Sequence, residues 1–147
     1  MLITLGILVL VLGGVAAAYF TSTGSGTGTA SVGNSANVTL HGTVASTLYP
    51  ASSSTVTFTV DNPSPGSQFV NTIHLVSITP DAGHATCSTV LTGGNPDFTM
   101  ADVTASQSIP SGNAQSVTAT GTLTMRETGV SQNACQGATL TLNLTSN

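Results

Sequence analysis

The chain has 147 residues, a formal net charge of −4 and only 4% charged residues, whereas a typical soluble protein has about 25%. One arginine and no lysine cannot neutralise a phosphate backbone, so nucleic acid is a poor candidate partner. A surface with so little charge stays soluble through hydroxyl and amide groups, through attached sugar, or through burial against other copies of the chain.

The first twenty residues form an apolar stretch that contains no charge. As a helix they would extend roughly 30 Å, the thickness of a bilayer's hydrocarbon core. We predict a hydrophobic helix over residues 1–22. Three roles fit it: a cleavable secretory signal, a permanent membrane anchor, or the assembly helix of a filament subunit whose basic leader has been removed. The absence of a basic n-region favours the third. The predicted assembly residues are Leu2, Ile3, Leu5, Ile7, Leu8, Leu10, Leu12 and Val15.

Glycine, serine and threonine dominate residues 23–35, which predicts a flexible linker. Residues 36–147 instead alternate apolar and hydroxyl side chains, the period of a half-buried strand. Strands are predicted over 36–44, 55–61, 68–79, 86–91, 98–103, 116–125 and 138–145.

About seven short strands, with turn signals at 62–66 and 109–113, indicate a mainly β fold. We therefore predict an N-terminal hydrophobic α-helix followed by an antiparallel Ig-like β-sandwich. Its core would consist of aliphatic residues around Phe58, Phe69 and Phe98.

Cys87 and Cys135 are the two cysteines of the chain. An exported body lies in an oxidising space, where two cysteines usually pair. A zinc site is not indicated, because the cysteines are far apart in sequence and lack a CxxC motif. The sequence therefore predicts a disulfide between them.

Two Asn-X-Thr sequons begin at Asn37 and Asn143. In each predicted strand the asparagine lies on the face opposite the apolar residues, where a glycan acceptor must be. We predict N-glycosylation there, with O-glycosylation of the Thr/Ser faces as the alternative. Such covalent glycans would help a charge-poor surface to stay soluble.

No catalytic or nucleotide-binding motif is present in the sequence, so we predict neither an enzyme nor a cofactor. Asp81 and His84 share a turn, where an aspartate usually bonds its own backbone. Asp97 and Asp102 offer oxygen ligands for a cation, but their spacing is not that of a binding loop. We therefore predict no metal site.

Two segments resemble strands of Ig-like surface repeats of bacteria and archaea: TVTFTVDNPSPG (55–66) and IPSGNAQSVTATGTLTM (109–125). ACQGATLTLNLT (134–145) resembles the last strand of secreted actinobacterial-type Ig-like proteins of unassigned role. In residues 109–125 the resemblance lies in a Pro-Gly turn that leads into a threonine-rich strand. It implies a fold and no particular activity.

The N-terminal sequence AAAYFTSTGSGTGTA (16–30) is similar to the start of camelysin- and TasA-type secreted fibre proteins, which polymerise by strand exchange. The whole plan, an apolar helix followed by a β-domain, looks like an archaeal-type or type IV-like pilin. Leu5 stands where bacterial type IV pilins usually have glutamate.

These observations predict a structural subunit of an extracellular filament on the cell surface, used for adhesion or biofilm contact. Its partners would be other copies of the chain in a helical homopolymer, and the membrane before assembly. Two alternatives remain open. One is a secreted matrix fibre protein that polymerises by strand exchange after residues 1–18 are removed. The other is a membrane-anchored monomeric adhesin or carbohydrate-binding domain.

Overall fold

A computed structural model of the chain describes residues 23–147. Residues 23–38 contain no helix or strand. A β-domain comprising residues 33–147 follows the first part of the chain. Its strands are β1 (Thr39–Val44), β2 (Ser52–Asn62), β3 (Gln68–Pro80), β4 (Phe98–Thr99), β5 (Val103–Ile109), β6 (Gly112–Ser116), β7 (Gly121–Met125) and β8 (Leu140–Ser146). Two short 3₁₀ helices span Ala82–His84 and Asn133–Cys135.

The strands form two antiparallel sheets. Sheet A has the order β1-β2-β7-β4, with β6 also paired to β2. Sheet B has the order β5-β3-β8. Each sheet is thus built around one long strand, β2 in sheet A and β3 in sheet B.

Alternation of side chains along β2 explains why this strand lies at the centre of sheet A. Val56, Phe58 and Val60 are completely or almost completely buried, while the neighbouring Thr55 and Thr57 are exposed. Successive side chains of a strand point to opposite faces of its sheet. Threonine also favours strands because its branched side chain packs well on a pleated surface. The apolar face of β2 therefore points into the core, and its hydroxyl face points to solvent.

Strand β3 is irregular because its pairing shifts register twice, between Val70 and Thr72 and between Leu75 and Ser77. A bulge changes which residues point inward. Val70, Ile73 and Ile78 are buried as a result, at spacings that strict alternation does not give.

The predicted fold class is wrong in one respect, the N-terminal α-helix. Residues 23–147 form two sheets and contain no α-helix, so the structure shows a mainly β fold. The helix predicted over residues 1–22 lies outside the described residues, together with its assembly residues. Among the described residues there is also no helix long and apolar enough to cross a membrane.

Several details of the strand prediction are also wrong. Residues 86–91 contain no strand, and the predicted strand over 116–125 is divided between β6 and β7. Phe69 is not a core residue, since 64% of it is exposed. It points outward because Val70 beside it faces the core. Phe58 and Phe98 are buried in the core, as predicted.

Gly121 marks a close approach between the sheets. A Cβ atom at this position would lie 3.1 Å from Cζ of Phe58 and 3.2 Å from Cγ2 of Val103, which belongs to sheet B. Glycine is therefore required here to let core side chains of both sheets meet in one layer.

We expect Gly121→Val to lower the free energy of unfolding by about 1–3 kcal/mol, because the added methyl groups overpack the core. Urea denaturation would measure this. Gly66→Val is the control, since no atom lies within 4 Å of a Cβ built at Gly66. Equal stability of the two variants would contradict the close-packed position of Gly121.

Candidate functional site

The outer edge of β8 is the candidate functional site, and we call it the β8 edge. Asn147 uses both its N–H and its C=O to bond β3, through Thr72 and Asn71, and the C=O of Thr139 accepts from the N–H of Asp81. Backbone groups alternate in direction along an antiparallel strand. The peptide groups of the intervening residues Leu140, Leu142 and Leu144 therefore point away from β3. Within residues 23–147, β8 pairs with no other strand.

The β8 edge lacks the features that usually prevent strands from adding to a sheet. Natural edge strands carry charges, prolines, bulges or a covering element. Strand β8 has the sequence LTLNLTS, without charge or proline. The register shift in its ladder lies on β3, between Leu75 and Ser77. Among residues 23–147, the edge is therefore a regular seven-residue template whose outward donors and acceptors have no partner.

The opposite edge of sheet B is formed by β5, which is irregular where β8 is regular. Ser106 in this strand has a positive φ of 44°, and the register against β3 shifts nearby, between Val70 and Thr72. Such a bulge bends the strand and disrupts its outer row of hydrogen-bonding groups. The β8 edge is thus the more regular of the two edges of this sheet.

A disulfide between Cys87 and Cys135 fixes the chain on the approach to β8. Its Cα atoms lie 4.5 Å apart and the cysteines are 48 residues apart in sequence, so the predicted pairing is confirmed. Closing a loop of this length stabilises the fold by about 4 kcal/mol in the chain-entropy model. The bond joins the segment after β3 to the 3₁₀ helix before β8.

Asp81 holds the first residues of β8 in place. Its carboxylate accepts hydrogen bonds from the backbone N–H groups of Thr139 (2.6 Å) and Gly83 (2.9 Å) and lies 2.9 Å from Nδ1 of His84. The hydrogen bond with His84, followed by that from Thr139, lowers the pKa of Asp81 from 3.8 to about 2. The expected bond from Asp81 to its own turn is present, and the bond to Thr139 adds a contact to β8.

Each of the three histidines contacts an aspartate. The local sequence indicated this for His84 but not for His41 and His74. His41 lies 3.0 Å from Asp61, and His74 lies 2.8 Å from Asp102. The backbone N–H of Ala114 and the side chain of His41 lower the pKa of Asp61. These pairs depend on which strands become neighbours, so residue spacing carries no signal for them.

The two aspartates considered as cation ligands have separate partners. Asp97 is buried and accepts hydrogen bonds from the hydroxyl of Ser88 and the N–H of Val90, whereas Asp102 contacts His74. No group of three or more His, Cys, Asp or Glu residues is placed to hold a metal within residues 23–147. Asp97 thus stabilises the loop before β4.

The two sequons differ in their surroundings. Asn37 is exposed, in a segment that precedes the first strand. Asn143 is exposed on β8, but its Nδ2 donates hydrogen bonds to Ser77 Oγ and Thr79 Oγ1 on β3, each at 3.0 Å. Since this nitrogen carries the sugar in an N-glycan, the amide of Asn143 is already engaged.

Comparison of the chain with protein-family models, curated proteins and solved structures gives no match. Function is therefore inferred from the residues of this chain.

Stability should depend on pH through Asp81. Folding lowers the pKa of Asp81. The stabilising contribution of its carboxylate to the folded state is therefore present above pH 3.8 and is lost as the pH falls towards about 2. We expect the melting temperature of the wild type to fall across this window. Asp81→Asn should start lower at neutral pH and fall less. Thr122→Ala, an exposed neutral change, should keep the wild-type slope. Parallel curves for Asp81→Asn and wild type would contradict this role.

In a host that glycosylates Asn-X-Thr sequons, we expect sugar on Asn37 and not on Asn143. The reason is that the Asn143 amide is bonded across the sheet, whereas Asn37 is exposed in irregular chain. Intact mass spectrometry would show the glycan mass lost in Asn37→Gln and kept in Asn143→Gln. A glycan lost in Asn143→Gln would contradict the expectation.

Proposed function

We propose that the chain is a structural subunit of an extracellular fibre, in which copies join by pairing at the β8 edge. The observation that carries this proposal is the regular, charge-free row of outward peptide groups on β8. The displayed β-domain would provide the contact surface for adhesion or biofilm formation.

Pairing of two β8 edges is physically favourable for this chain. Added strands exchange main-chain hydrogen bonds, and side chains on alternate positions set the specificity. The exposed side chains beside the β8 edge are Thr141, Asn143 and Thr145, so two antiparallel copies would place no like charges opposite each other. Leu142 and Leu144 are only partly buried in the domain, and a partner strand would cover more of their surface.

Pairing at β8 alone would give two-fold dimers, because the same surface is used by both copies. A fibre needs a second contact. The apolar segment 1–20 supplies one in this proposal, since its burial between copies removes a large apolar surface from water. Two different contacts on each subunit allow growth without closure.

An extracellular location agrees with the covalent chemistry of the domain. Disulfides persist in oxidising spaces and are rare in reducing ones, and the Cys87–Cys135 bond is compatible with such a space. Strand β8 itself carries no charge, so salt would not weaken its pairing by screening.

Two lysines at the β8 edge test the proposal. We expect Thr141→Lys/Thr145→Lys to reduce sedimentable polymer of the full chain at least about tenfold, because edge lysines block strand addition. Sedimentation and electron microscopy would measure polymer, and circular dichroism would confirm that the domain is folded.

The matched control is Ser53→Lys/Thr57→Lys on the central strand β2. Both positions are exposed, have the same spacing and add the same charge. This control should polymerise like the wild type. A wild-type chain that stays monomeric, or an edge variant that polymerises normally, would overturn the proposal.

A further inference from the structure

A cavity of about 460 Å³ opens at one end of the β-domain. One wall is the β1–β2 turn with Tyr49 and Pro50, and the other is the segment before β8 with Gln132, Asn133 and Gln136. An aromatic residue and three amide side chains thus face one space, although they come from distant parts of the sequence. The fibre proposed above does not use this cavity.

The turn that carries Tyr49 is held by its own hydrogen bonds. The N–H of Tyr49 donates to Ser52 Oγ at 2.7 Å, and the N–H of Ser52 donates back to the C=O of Tyr49 at 2.9 Å. Ala51 between them has a positive φ of 64°, a conformation that is costly for a residue with a Cβ and persists only where the surroundings enforce it. This turn therefore presents Tyr49 in a defined position.

The amide wall is equally constrained. Gln132 accepts a hydrogen bond from the N–H of Cys135 at 2.9 Å, and the N–H of Gln136 donates to the C=O of Asn133 at 3.1 Å. Cys135 is itself bonded to Cys87. A binding site whose walls are fixed in advance loses less entropy when a ligand binds.

The chemistry of the cavity indicates a neutral, hydroxyl-rich ligand. Tyr49 is 66% exposed and offers an apolar ring face with a polar tip. Asn133 and Gln136 on the opposite wall are exposed, and their side-chain amides can donate hydrogen bonds to hydroxyl oxygens and accept them from hydroxyl groups.

Charge excludes the main competing ligand class. Among the described residues that line the cavity, Glu127 is the one charged side chain, and none is a lysine, arginine or histidine. Phosphate and carboxylate groups would therefore meet an anion without a balancing cation. Sugars have flat apolar faces, which can stack on the ring of Tyr49, and neutral hydroxyl groups, which can hydrogen-bond to the amides on the opposite wall.

We propose that this cavity binds a neutral saccharide, with Tyr49 stacking on a sugar ring and Gln136 donating to a sugar oxygen. The site would let the domain hold an uncharged polysaccharide.

Saturation-transfer NMR with maltohexaose, cellohexaose, chitohexaose and mannohexaose tests the proposal on the full chain. At least one of these should bind with a Kd of about 1 mM or tighter, and a heparin hexasaccharide should not bind. Tyr49→Ala should weaken binding about tenfold, since the stacking surface is lost. Gln136→Leu should weaken binding without lowering the melting temperature, because this exposed side chain makes no hydrogen bond within residues 23–147.

Phe69→Ala is the matched control, because Phe69 is an aromatic residue of similar exposure on β3 and does not line the cavity. It should bind like the wild type. The proposal is overturned if none of the four neutral sugars binds below about 10 mM, if Phe69→Ala and Tyr49→Ala weaken binding equally, or if heparin binds as tightly.

Discussion

Burial of the apolar faces of β2 and β3 against each other is the constraint on which the structure depends. Val56, Phe58 and Val60 from sheet A meet Val70, Ile73 and Ile78 from sheet B in one core cluster. A slip of one residue in β2 would move three buried apolar side chains into solvent and three hydroxyl groups into the core. The pairing of sheet A, and the outward direction of its Thr/Ser face, follow from this burial.

The core also determines which strands are left at the edges. Once β3 occupies the centre of sheet B, β8 can pair only on one side of it. The disulfide at Cys135 and the carboxylate of Asp81 then hold the start of β8 in register. A chain with few charges has few means of protecting such an edge. In the fibre proposed above, this scarcity of charge is what leaves the β8 edge open to a second copy.

Local pattern is sufficient to predict strands with strict alternation. Strand β2 and strand β8 alternate without interruption, and their predicted positions agree with the structure to within three residues. The disulfide was predictable because only two cysteines are present. Residues 86–91 have strand-like composition, but Cys87 is buried in the disulfide and Asp97 binds the N–H of Val90. Tertiary contacts therefore replace a strand ladder in this segment.

Features that depend on which strands and loops become neighbours in the fold could not be predicted from local sequence. Bulges in β3 reset which of its side chains face inward, so Phe69 was assigned to the wrong face. Tyr49 and Gln132 line one cavity although they lie in separate loops, and no motif links them. Whether β8 lies at an edge likewise depends on the pairing order of the strands. The segment LTLNLTS would have the same composition in a central strand, so its sequence alone does not indicate an edge.

Residue-resolved hydrogen exchange tests the central role of β8 most directly. It would compare full-length chains in the polymer with dispersed chains under the same conditions. The account predicts that the amides of Leu142 and Leu144, which point away from β3, exchange slowly in the polymer and rapidly in dispersed chains. Rapid exchange of both amides in well-formed polymer would show that copies join elsewhere and would contradict it.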